Sequence, residues 1–155
     1  MMLPRLASLA RVTMLSLMAL TAAGCSTGGA LSPGLSQRMD APGARLNTAE
    51  AIGIVNQYRA TVGLGPLAED PTLDATAQTM AAQYAKTGRQ SPKPEGTIEI
   101  RYSAGYYNFA ETFSGWRQSP ETSAALSGKT ATRAGIASVY DPNSPYGVYW
   151  VMIVG

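Results

Sequence analysis

The sequence predicts one α+β domain, and three observations carry that prediction. Apolar residues recur at helical spacing in the first half of the region 47–155. Two strand-like runs, joined by a segment rich in turn residues, close the chain. The region holding both is long enough for one hydrophobic core and too short for two.

The first element opens at Asn47, where Asn47-Thr48-Ala49-Glu50 has the spacing of a capping box, with Asn in place of Ser or Thr. Ile52, Val55, Tyr58 and Val62 form the stripe of an amphipathic helix, which stops at Gly63-Leu64-Gly65-Pro66. Asp70 is placed to cap a second helix and Pro71 to take its first position. Leu73, Ala77, Met80, Ala81 and Tyr84 make its stripe, and Gly88 ends it. Residues 90–96 read as a loop, and 97–102 alternate as a half-buried strand does. Residues 109–117 read as a short helix with Phe109, Phe113 and Trp116 on one side. A polar segment, 118–133, leads to two strands at 134–140 and 148–154. The turn residues Asp141-Pro142-Asn143-Ser144-Pro145-Tyr146-Gly147 between them fit a hairpin with a long loop. There is no internal repeat.

The segment ahead of this region has a different character. Residues 1–24 carry Arg5 and Arg11, no acidic group, an apolar run from Val12 to Leu20, and then Thr21-Ala22-Ala23-Gly24. That order is the one found in a secretory signal peptide. The apolar run is short for a transmembrane helix, which needs about 20 residues. Leu20-Thr21-Ala22-Ala23-Gly24-Cys25 resembles a bacterial lipoprotein lipobox, with Ala22 where leucine is usual. The resemblance implies cleavage before Cys25, acylation of its thiol and new amino terminus, and attachment to a membrane. The expected location is the bacterial cell envelope, at the outer membrane or the periplasmic face of the inner membrane. Residues 25–46, rich in Gly, Ser, Pro and Ala, read as a flexible tether. A chain of about 20 such residues spans roughly 25 Å.

Composition narrows the chemistry. The 155 residues include 12 Lys+Arg, 10 Asp+Glu, one Cys and no His. Without histidine there is no Ser-His-Asp or Cys-His arrangement and no imidazole metal ligand. One cysteine forms no intrachain disulfide. Removing Arg5 and Arg11 with the leader leaves basic and acidic side chains in balance, so no nucleic-acid partner is expected. Gly28-Gly29 follows no strand and is not a phosphate loop.

Several segments together resemble a known family. Asn56-Gln57-Tyr58-Arg59, Gly63-Leu64-Gly65-Pro66-Leu67 and Asp70-Pro71-Thr72-Leu73 look like the opening of a bacterial CAP (SCP) domain. Its superfamily comprises cysteine-rich secretory, antigen 5 and pathogenesis-related proteins. Ser103-Ala104-Gly105-Tyr106, Trp116-Arg117-Gln118-Ser119-Pro120, Ala134-Gly135-Ile136-Ala137 and Val148-Tyr149-Trp150 follow in the family's order. The resemblance implies an α-β-α sandwich with a small antiparallel sheet over 47–155. It also implies a cleft in which two histidines and acidic partners hold a divalent metal. The position matching the first histidine is Met80. The Trp-x-x-Ser-Pro-x-His pattern places Thr122 at the second, and Glu111 matches a family carboxylate.

A thioether and a hydroxyl do not replace two imidazoles around zinc, and one carboxylate completes neither a structural nor a catalytic site. No metal, cofactor or catalytic residue is therefore expected. Met80 reads as a core residue on the Leu73-Ala77-Tyr84 stripe, Thr122 as a loop or cap residue, and Glu111 as a surface carboxylate. All three remain ligand-binding candidates of a degenerate cleft. Glu95 and Glu99 form no defined glycosidase pair. The aromatics of the C-terminal half belong to the core by default, with a subset lining a groove for sugar, lipid or peptide as the alternative. The expected function is a non-enzymatic envelope lipoprotein that binds or scaffolds. A metal-independent hydrolase of envelope polymer or peptide, and a lipid- or sterol-binding module, are the alternatives.

Overall fold

A computed structural model describes residues 32–155. The expected signal peptide and Cys25 lie outside the described residues. In chain order the elements are α1 (Pro33–Ser36), α2 (Thr48–Thr61), β1 (Ala68–Glu69), α3 (Pro71–Thr87), β2 (Glu99–Ala104), α4 (Phe109–Gln118), α5 (Pro120–Leu126), β3 (Arg133–Tyr140) and β4 (Val148–Val154).

Local chemistry sets the helix ends. Asn47 Oδ1 accepts from the Glu50 N–H at 3.2 Å. The reciprocal half of the capping box is missing, because Glu50 Oε2 accepts from the Ser32 hydroxyl instead. Asp70 Oδ1 accepts from the N–H groups of Thr72 and Leu73, and Pro71 begins α3. Gly88, at φ 68°, closes α3 in the left-handed conformation that glycine tolerates. Asn108 caps α4 through the Glu111 N–H at 2.9 Å.

The sheet order is β1-β3-β4-β2. β4 runs antiparallel to both neighbours, with Ala137 opposite Val151 and Tyr102 opposite Val151 on its other side. β1 pairs parallel with β3 through Ala68–Arg133 and Glu69–Ala134, so the sheet is mixed where a purely antiparallel one was expected. The cause is the short α2–α3 connection, which lies along β3 for two residues before Pro71 starts the helix.

Alternation along β4 sorts the core into two layers. Val148, Trp150, Met152 and Val154 face Ile52 and Val55 of α2 and Phe109, Phe113 and Trp116 of α4. Val151 and Ile153 face Leu73, Ala77, Met80 and Ala81 of α3. Covered on both sides, every β4 residue is buried, which explains its unbroken apolar run. The result is the α-β-α sandwich. α3 lies so close to β3 that a Cβ on Gly135 would meet the Leu73 carbonyl carbon at 2.2 Å, so only glycine fits there.

Two side chains of α2 lock the connections. Asn56 donates to Leu67 O at 2.9 Å and accepts from Leu67 N–H at 2.7 Å, standing in for a strand neighbour. Arg59 is fully buried. Its Nε donates to Gly65 O at 2.8 Å, its Nη1 to Leu126 O at 2.8 Å and Gly128 O at 3.2 Å, and its Nη2 to Ala131 O at 3.4 Å. Burial pulls its pKa down, and the carbonyl dipoles compensate the charge.

Two expectations are corrected. The tether expected over 25–46 is not free over its described part: α1 and the chain after it dock on the domain. Leu35 is 7% exposed and Met39 3%, both in the α2–α4 layer, and the Met39 N–H donates to Tyr107 O at 2.7 Å. Two apolar residues are too few to fold a segment alone but enough to plug an existing seam. The polar segment 118–133 contains α5, whose Leu126 is fully buried beneath the Arg59 clamp.

Replacing Arg59 with Ala strands buried carbonyls and is expected to cost about 3–5 kcal/mol in urea unfolding. Met39→Ala is expected to cost about 2 kcal/mol in the same experiment. A change near zero would return that segment to a tether.

Candidate functional site

Met80 lies in α3 and is 8% exposed, packed with Leu73, Ala77 and Ala81 against β3 and β4. Glu111 lies in the first turn of α4, in the opposite helical layer, and is exposed. Thr122 lies in α5. The sheet thus separates Met80 from Glu111, and these two positions do not line one cleft.

These residues do not fit a divalent metal. The Met80 thioether sits among aliphatic side chains, and the Glu111 carboxylate is on the far side of the sheet. Among the described residues, no three His, Cys, Asp or Glu side chains come together as a metal-binding group.

The surface has other concavities. A groove of about 570 Å³ with mixed polar and apolar lining runs along β3 beyond the end of β1. Ile136, Ala137 and Ser138 form its floor, Asp74, Ala75 and Gln78 of α3 one wall, and Arg45, Leu46 and Thr48 the other. Asp74 Oδ1 accepts from the Ile136 N–H at 2.8 Å, pinning the wall to the floor. Burial pushes the Asp74 carboxyl up from its ordinary pKa, with the Ile136 bond opposing the shift. The Ser138 hydroxyl oxygen is buried and has no hydrogen-bond partner.

A second hollow of about 500 Å³ lies beside β2, lined by Gln90, Ser91, Lys93, Glu99, Arg101 and Tyr102. The Tyr102 hydroxyl donates to Ser91 O at 2.9 Å and accepts from Ser91 N–H, fixing the loop 90–96 against the strand. Glu99 lies 3.6 Å from Arg101, so its charge is matched within its own strand. A third hollow, between α2 and α4, is apolar but only about 240 Å³, lined by Leu35, Ile54, Ala110, Phe113, Ser114 and Arg117. Ordinary small-molecule pockets are about 300–1,000 Å³.

Sequence reasoning did not single out Arg45, Asp74 or Ser138. Nothing in the pattern shows that β1 leaves most of one side of β3 uncovered, since the apolar run of β3 reads like that of β4. A serine within that run was the available signal.

Comparison with known proteins comes from two directions. A family model described as "CAP: Cysteine-rich secretory protein family" matches residues 52–154. No curated protein matches the chain in sequence. Among solved structures, an outer surface protein from Borrelia burgdorferi aligns at 17% identity and TM-score 0.56, covering 72% of this chain and 97% of that one. An extracellular SCP-domain protein from Bacillus anthracis aligns at 16% identity and TM-score 0.56, covering 70% of this chain and 40% of that one. A cysteine-rich secretory protein from Staphylococcus aureus aligns at 11% identity and TM-score 0.53, covering 70% and 39%. With the helical layers, the mixed sheet and the family match over most of its length in agreement, the chain belongs to the CAP family of cysteine-rich secretory proteins.

Proposed function

We propose that this CAP domain is a non-enzymatic binding or scaffolding module of the bacterial cell envelope, held at a membrane through acylated Cys25. The observation that carries the reading is Met80. Where the resemblance calls for an imidazole, the side chain is a buried thioether packed under α3, with its carboxylate counterpart across the sheet. A chain without histidine has no imidazole to supply from elsewhere. Two of its grooves are open and mix polar with apolar side chains, a geometry suited to holding a ligand at the surface. The envelope location draws support from the order of residues 1–25 and from the surface and extracellular character of the bacterial proteins that share the fold.

Sedimentation with a purified bacterial envelope preparation tests the reading directly. The chain is expected to pellet with the envelope, release no soluble fragments, and keep its Tm in near-stoichiometric zinc. Fragment release that disappears in Glu111→Gln would make it a hydrolase, and a zinc shift of several degrees would restore the metal cleft. Metabolic labelling with a palmitate analogue tests the anchor. Label is expected on the wild-type chain and absent from Cys25→Ser; equal labelling of both overturns the anchor.

A further inference from the structure

β3 offers an incomplete edge. Arg133 and Gly155 exchange two hydrogen bonds of 2.9 Å, and the Asp141 N–H donates to Gly147 O. These bonds fix the alternation: β3 turns its odd-numbered backbone groups to β4 and its even-numbered ones to the other edge. On that edge, Ala134 O accepts from the Asp70 N–H at 2.9 Å, and the Ile136 N–H is taken by Asp74. Past that point Ile136 C=O and the N–H and C=O of Ser138 have no ladder partner among the described residues. β1 ends at Glu69, well short of the far end of β3, because Pro71 turns the chain into α3.

Unpaired backbone groups on a strand edge are what a guest strand binds, and its alternate side chains set specificity. The groove supplies two different walls for them. Asp74 and Gln78 stand on α3, on one face of the sheet; Arg45 and Thr48 stand on the 43–48 segment, whose Ala44 and Leu46 pack into the opposite layer. A strand laid along β3 would turn successive side chains to these two walls in alternation. Ser138 itself lines the groove, and its backbone N–H and C=O lie where the guest backbone would pass.

We propose that the β3 edge binds an extended peptide as an added strand, with basic side chains facing Asp74 and acidic ones facing Arg45. The proposal rests on the binding reading above and names its ligand class. Opposite charges on the two walls favour a heteropeptide of alternating sign over a second copy of this chain, which would bring Arg45 and Asp74 in a fixed, self-related arrangement.

The test titrates acetyl-Val-Lys-Glu-Lys-Val-amide into the full isotope-labelled chain and follows backbone amide shifts. Saturable changes at Ile136, Ala137 and Ser138 are expected. Arg45→Glu is expected to weaken binding about two- to fivefold, the scale of an exposed ion pair. Ser138→Pro removes the outward N–H at a position where an edge strand accepts proline, and is expected to abolish binding. Because that variant can fail to fold, the same peptide N-methylated at its central glutamate supplies an independent arm and is expected not to bind. No shifts at these residues up to millimolar peptide, or equal binding of the N-methylated peptide, overturns the proposal. So does a concentration-dependent dimer that occupies the same amides. If the peptide fails while the chain still pellets with envelope, the edge inference falls alone; if both fail, the binding reading falls with it.

Discussion

A single guanidinium closed off from water organises the ends of this fold. Arg59 carries a charge that burial penalises, and it tolerates burial by donating to four carbonyls from separate turns of the chain. Those carbonyls have no reason to converge otherwise. Gly65 belongs to the exit from α2, Leu126 to the end of α5, and Gly128 and Ala131 to the approach to β3. The clamp therefore fixes where β3 begins, and β1 finds its two-residue pairing because Asn56 holds Leu67 just ahead of it. The planar fork matters: a lysine in its place offers a point charge with no comparable spread of donors.

How much of this was legible in the sequence varied with how local its cause was. α3 is bounded by an acid cap, a proline and a left-handed glycine, all within its own residues, and its predicted limits match the observed ones. β3 and β4 were visible as apolar runs within a residue of their true ends. β1 was not, since two exposed residues carry no periodicity and pair only because their neighbours are tied down. α5 was hidden because Leu126, which it buries, is held by a side chain 67 residues away. The groove on β3 was hidden for the same reason. Which strand lies at an edge is decided by topology, and no local pattern records it.

Fold and cleft chemistry are separable here. Met80 fills the layer between α3 and the sheet as any apolar residue of that stripe would, and the sandwich closes around it. Packing asks only for volume and the right face of the helix, whereas a metal asks for particular donor atoms at particular angles. Met80 meets the first demand and cannot meet the second, which shifts attention from the interior to the open margins of the sheet.

The docked segment after residue 32 has a geometric consequence for a chain anchored at Cys25. With Leu35 seated against α2 and α4, only residues 26–31 separate Cys25 from the described body. Even fully stretched, that interval reaches about 25 Å. A molecule acylated at Cys25 would then be held on a leash of about 25 Å at full stretch, where a free tether through residue 46 would reach about 70 Å, so its patrol radius shrinks to roughly a third.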